Sequence, residues 1–296
     1  MWFRNLQILR FKPAASFAAE PFSEQLHAEA FQPCTSLARE SRGWIPPRGD
    51  DRLVCVTHGQ WLIALGVEQK LLPASVVRQT VEARAAELER RMGVKPGRKR
   101  LRELKEEVTD ELLPRAFSRY RTTFAWIDPV HGWLVIDASS PKKSGEFLEV
   151  LRKSLEEFPF APLETKRAPA AAMTEWLTAG DAPAGFSIDR DCELQSPIEE
   201  RATVRYANHV LTETAEIRNH IAAGKVPTRL ALTWRDRVSF VLTDKLEVKR
   251  VKLLDVATTE NDGEAEDAEA RFEADFTLMT GLLDRFLGEL AEAIEA

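Results

Sequence analysis

Three arginines and a phenylalanine alternate through Leu112–Asp128 (LLPRAFSRYRTTFAWID), and their types raise the first chemical possibility in the chain. In an extended backbone Arg115, Phe117, Arg119 and Arg121 share one face, setting three guanidinium groups around one aromatic ring. Arginine is almost never fully buried unpaired, so this face is poor core material and suits an anionic partner with flat groups to stack on. Nucleic acid offers both. Taken alone, Phe117 has a second reading as a core aromatic, because most phenylalanines are buried. The following residues, Thr122–Asp128, alternate as a half-buried strand, with Phe124 and Trp126 on one face and Ala125 and Ile127 on the other.

A second group of cations lies just upstream. Arg90–Arg102 (RRMGVKPGRKRLR) holds seven Lys and Arg and no acid, including Lys95, Arg98, Lys99 and Arg100. It reads either as a contact patch or as a solvated helix start. The overall net charge of −6 opposes a generic DNA coat, but charge is segregated: from Asp255 onward there are 13 acidic and 2 basic residues, leaving residues 1–254 at +5. Within it Thr258–Ala270 reads as an acidic loop, and the segment as a whole is expected to be a solvated helix face, with an internal competitor for the basic surface as the alternative. Lys225, directly after the helix-stopping Gly224, either complements a helix dipole or contacts a ligand.

Catalytic patterns are missing. The chain has no G-x-S-x-G, H-E-x-x-H or G-x-G-x-x-G, and Gly93–Lys99 (GVKPGRK) has the wrong glycine spacing for a phosphate loop. Histidines 27, 58, 131, 209 and 220 form no pair at metal spacing, so each reads as a turn or surface residue. No catalytic residue, metal ligand or cofactor is expected. Cys34, Cys55 and Cys192 are odd in number and far apart, which fits free thiols in a reducing cytosol. No apolar run approaches a membrane span, so a soluble protein retained where it is made is expected.

The elements that would position these residues follow from periodicity. A strand is predicted around Leu6 and Ile8, a helix over Pro21–Phe31, a rigid bend at GWIPP (Gly43–Pro47) and a hairpin over Asp51–Val67 turning at His58 and Gly59. Ser75 starts a helix broken at Gly93, Pro96 and Gly97, and a second helix runs from Arg98 until Pro114. This helical hairpin lies between strands, so it is an insertion with the basic patch at its tip. A second hairpin ends in WLVIDAS, Gly145–Phe158 is an amphipathic helix, and Ala161–Ala172 is the best linker. The second half repeats this style, with strands at Phe186–Ile188, Thr203–Leu211, Thr228–Trp234, Val238–Leu242 and Leu246–Leu254. A helix over Thr212–Ala223 and a final helix over Glu269–Ile294 accompany them. The predicted fold class is α+β. It comprises a central sheet domain (1–73 with 122–165), an inserted helical tip lobe (74–121) and a second sheet domain with the C-terminal helix (166–296).

Several strings are long and unusual. WFRNLQILR, GWIPP, LLPRAFSRYRTTFAWID, LRKSL, TEWL, NHIAAGK and RFEADFTLMTGLL, in that order from end to end, resemble the bacterial recombination-associated RdgC family. The resemblance implies a cytoplasmic, nucleoid-associated protein that binds duplex DNA with little sequence preference and limits access of the recombinase RecA; single-stranded DNA is a further candidate ligand. It also implies horseshoe-shaped subunits that close into a ring homodimer around DNA, with contacts at the helical lobe and at the opposite sheet domain. The aromatic of PRAFSR, here Phe117, is the implied DNA contact, and Lys70, Arg115 and Lys225 occupy matching basic positions. Arg119, Arg229 and Arg250 complete the candidate contacts, with Lys95, Arg98, Lys99 and Arg100 at the lobe tip. Asn208 and His209 stand where relatives carry a basic and glutamine pair. Two other classes stay open: a recombination regulator acting through protein contacts, and a metal-dependent nuclease.

Overall fold

The fold is that of a computed structural model, which describes residues 2–13, 17–198, 202–212, 215–254 and 265–295. Residues 255–264 of the acidic stretch lie outside the described residues. The class is α+β, and all strands pair antiparallel.

The first half begins with β1 (Leu6–Arg10), α1 (Ala19–His27) and β2 (Glu40–Ile45). The strand β2 runs through Gly43, Trp44 and Ile45, so the expected bend at GWIPP starts only at Pro46. Gly43 serves close approach instead: a Cβ there would lie 2.4 Å from the Phe31 Cα. The hairpin of β3 (Val54–Thr57) and β4 (Gln60–Leu71) turns where predicted, because His58 and Gly59 both take positive φ (49° and 80°), the two-residue turn whose twist matches its strands. The inserted helices α2 (Ala74–Met92) and α3 (Arg98–Leu112) follow, separated by Gly93, which caps α2 in the left-handed region. A single 3-10 turn, Leu113–Arg115, leads into β5 (Phe117–Asp128), then β6 (Trp133–Asp137) and α4 (Pro141–Ser154). That last helix starts earlier than periodicity predicts, since Ser140 caps it and Pro141 sits in its first turn.

The expected linker is structured at both ends. β7 (Ala161–Pro162) pairs with β1, and α5 (Pro169–Ala179) begins within it, burying Ala172. The second half adds β8 (Phe186–Gln195), β9 (Thr203–Tyr206), α6 (Ala215–Ala222), β10 (Val226–Trp234), β11 (Val238–Thr243), β12 (Val248–Leu253) and α7 (Ala265–Glu295).

One sheet in the order β2-β4-β5-β6-β1-β12-β11-β10-β8-β9 connects both halves. The junction is narrow: Leu6 opposes Val248, and the Val251 N–H donates to the Arg4 carbonyl at 2.9 Å. α7 reinforces it by packing Phe276, Met279, Leu283, Phe286 and Leu290 into a core shared by Leu62, Trp126 and Val135 of one half and Leu230, Leu232 and Phe240 of the other. Its carboxylates also accept one indole N–H from each half, Trp133 to Asp284 (2.9 Å) and Trp234 to Glu289 (2.7 Å). A second core, with Ile63, Ala125, Ile127, Leu134 and Ile136, lies on the other face of the first half beneath α1 and α4. Alternation along β5 thus feeds two cores, Trp126 into one and Ala125 and Ile127 into the other.

Candidate nucleic-acid interface

β4 and β5 are each twelve residues long and pair from Trp61–Ile127 out to Leu71–Phe117, beyond the cores. This projecting ribbon carries the sequence-predicted arginines and separates them. On one face lie the opposed pairs Val67–Arg121, Gln69–Arg119 and Leu71–Phe117; on the other lie Glu68–Tyr120 and Lys70–Ser118. Arg121 is not a free cation: it pairs at 2.5 Å with Glu146 of α4, a carboxylate that also lies 3.7 Å from Arg42. Arg115 sits in the 3-10 turn before the strand, so it does not continue the β5 face. The three guanidiniums expected around Phe117 therefore reduce, on that strand face, to Arg119, whose Nη2 donates to Gln69 Oε1 at 2.9 Å. Phe117 itself is 85% exposed, and Leu71 opposite it 45%. Neither belongs to the cores.

The ribbon end is held in place by Glu68. This residue is buried and accepts from the Cys34 N–H at 2.7 Å; bonds from the Ser118 hydroxyl, that N–H and the Tyr120 hydroxyl hold its carboxyl below the usual range. Tyr120, 65% exposed, is an aromatic to which alternation alone assigns no role. Lys70 lies on this second face, so it flanks the ribbon from the side opposite Arg119.

The lobe above the ribbon has a small interior of Val77, Leu104, Val108 and Leu113. Its cations differ in state. Arg100 pairs with Glu103 and Glu107, and Arg102 with Glu106, whereas Lys95, Arg98 and Lys99 have no ion pair among the described residues. Met92, Val94 and Leu101 toward the same end are exposed, at 73, 71 and 38%.

The remaining candidates are elsewhere. Arg229 of β10 opposes Glu193 of β8, and with Arg250, Arg205, Lys249 and Asp191 it lines a mixed-charge hollow on the sheet. Arg250 takes φ 55° at an irregularity of β12, which breaks the simple alternation read there. Lys225 follows Gly224 (φ 87°), and its N–H donates to the His220 carbonyl. Asn208 and His209 form a turn whose N–H groups bond to Asp191 Oδ1 and the Arg190 carbonyl. The cysteines are free; burial pushes the Cys192 thiol up to about 12, the behaviour of a core residue.

Sequence reading also overlooks one titratable cluster. Asp128, His131 and Asp284 come together at the β5–β6 turn, within 4.8 Å of one another. Asp128 accepts the Val130 and His131 N–H groups and the His131 ring at 2.8 Å, and His131 reaches Asp284 at 3.3 Å. The bond to Asp128 and both charges raise the His131 pKa. Arg10, stacked 3.8 Å over Trp133, adds a positive charge facing both carboxylates. Only the fold could show this, because Asp284 is more than 150 residues away in sequence (Trp133 and Asp284 are 151 apart).

Fold and site define the class first: an α+β protein with a cation-tipped helical hairpin inserted between the strands of a projecting, aromatic-ended ribbon. A family model described as "Putative exonuclease, RdgC" matches residues 1–296. Proteins named recombination-associated protein RdgC are similar throughout: that of Dechloromonas aromatica (strain RCB) is 52% identical, covering 99% of this chain and 97% of its own. Those of Janthinobacterium sp. (strain Marseille) and Cupriavidus necator are 50% and 52% identical, each covering 99% of this chain and 98% of the relative. The chain belongs to the RdgC family of recombination-associated proteins. No described helix is long and apolar enough to cross a membrane.

Proposed function

We propose that this is a non-enzymatic, nucleoid-associated cytoplasmic protein that binds duplex DNA with little sequence preference and limits RecA access to it as a ring-shaped homodimer. The observation that carries the reading is Phe117, 85% exposed at the end of a ribbon flanked by Arg119, Arg115 and Lys70 beneath a lobe bearing Lys95, Arg98 and Lys99. Cations of this kind neutralise phosphates without reading bases, so affinity falls steeply with salt and varies little with sequence. Arg229, Arg250 and Lys225 would extend the contact along the second half. Closure of two horseshoe-shaped subunits would use the lobe, where Met92, Val94 and Leu101 are exposed, and a second contact at the far end of each subunit. The proposed organisation is a central domain (1–73 with 122–165), a lobe (74–121) and a second domain (166–296).

The test is DNA affinity and lifetime against salt on a linear duplex and on a closed circle of the same sequence, for wild type and Phe117→Ala. Slow loss from the circle, rapid escape from linear ends and weakening by the substitution support the ring. Equal lifetimes and no effect of Phe117→Ala would leave a regulator that works through protein contacts.

The family description and the Asp128–His131–Asp284 cluster favour one second reading, a metal-dependent nuclease. Against it stands Arg10, whose charge opposes a cation beside the same carboxylates, and the use of Asp128 Oδ1 to hold the turn. Strand cleavage with magnesium or manganese, abolished by Asp284→Asn, would establish the nuclease.

A further inference from the structure

Leu71 and Phe117 are the terminal residues of β4 and β5 and stand directly opposite each other. Directly opposed residues project from the same sheet face with Cβ atoms about 5 Å apart. Both are exposed, at 45% and 85%, whereas β5 becomes mostly buried from Thr123 inward. The apolar step has cations around it: Arg119 is two residues along on the same face, Lys70 adjoins Leu71 on the opposite face, and Arg115 precedes the strand. Its base is held by the Cys34 N–H bond to Glu68 and by the Arg119–Gln69 bond. A pre-ordered apolar pair ringed by phosphate-binding charge is the construction by which architectural proteins open a base step from outside.

We propose that Leu71 and Phe117 act together as a wedge entering an opened base step, so that the substrate class preferred by this surface is duplex DNA with a weakened step. Such sites include a mismatch, a nick or a flexible pyrimidine–purine step. The inference rests on the duplex-binding reading above and adds to it a second contact residue and a preference. Smooth phosphate binding is indifferent to stacking, whereas a wedge must unstack a step, which costs least where stacking is already poor. Leu71 supplies apolar bulk beside the ring, and neither side chain carries a hydrogen-bonding group that could read a base.

The experiment compares binding, at one fixed salt concentration, to a short duplex and to the same duplex with one central mismatch, using wild type, Leu71→Ala, Leu71→Met and Phe117→Ala. Thermal melting confirms that each variant is folded. Wild type should favour the mismatched duplex, and Leu71→Ala and Phe117→Ala should each weaken binding to it by about tenfold, in line with removing one stacked or buried apolar side chain. Leu71→Met should keep the preference, since its bulk is retained. If Phe117→Ala weakens binding while Leu71→Ala changes nothing, the two-residue wedge is wrong and the duplex-binding reading stands. If wild type binds both duplexes equally, the preference is wrong. If neither alanine variant alters binding to any DNA, the reading of this site as the DNA contact falls as well.

Discussion

The two halves of β5 are built from similar residues and put to opposite uses. Thr123–Asp128 lies between two cores, and Trp126 is fully buried with its indole N–H donated to Gln60 Oε1 at 2.6 Å. Phe117–Thr122 extends past both cores, and another large aromatic, Phe117, ends in solvent. The arginines divide in the same way: Arg121, nearest the core, is ion-paired with Glu146, while Arg119 is bonded only to the uncharged amide of Gln69 among the described residues. Position along one strand therefore decides whether an aromatic or a guanidinium stabilises the fold or stays available to a partner.

The sharpest way to break the comparison is at its buried end. Trp126→Ala should cost about 3–5 kcal/mol in chemical denaturation, from lost transfer energy and the cavity left between β4, β6 and the core. A loss below about 1 kcal/mol would mean that the inner half is not the anchor. Next, Glu146→Ala leaves Arg121 half-buried without its carboxylate, though Arg42 keeps Glu40 and Glu149, and should cost about 2 kcal/mol, while Arg119→Ala should cost little. Replacing Lys95, Arg98 and Lys99 together by Gln should leave stability unchanged and lower the slope of log affinity against log salt by up to about 2.7, roughly 0.9 for each phosphate no longer neutralised. An unchanged slope would return the lobe tip to the solvated reading. Phe117→Ala should shift stability by no more than about 0.5 kcal/mol, in contrast to Trp126→Ala.

The smallest effect expected is with pH. His131 has a raised folded pKa from Asp128 and Asp284, so its contribution is complete below about pH 6.5 and is lost as pH rises through the raised folded value. Melting followed across that window should show a shallow decline for wild type that His131→Gln removes. An identical decline in the variant would place the titrating group elsewhere.

Much of the fold is legible because the local signals are strong. The Gly93 break, the His58–Gly59 turn and the alternation of Phe124–Ile127 depend on backbone conformation and period, which neighbouring residues dictate. Errors arise where a residue answers to something distant. Gly43 reads as part of a bend, yet it lies in a strand against Phe31; Ala161–Ala172 reads as a linker, yet its ends pair with β1 and enter the core. Arg115 and Arg121 read as equivalent to Arg119 because the sequence shows neither the 3-10 turn that holds the first nor the carboxylate that neutralises the second.

The sequence by itself determined the α+β class, the inserted basic hairpin, the aromatic placed among arginines and the family resemblance, since these depend on residue type, period and order. Only the tertiary structure decided which cations are paired with a carboxylate, that Leu71 stands opposite Phe117, that Asp284 meets His131, and that one sheet joins both halves with α7 across it. Those facts depend on strand register and on contacts between residues far apart in the chain, and pairing of that kind is settled by the total burial of two cores and not by any local pattern.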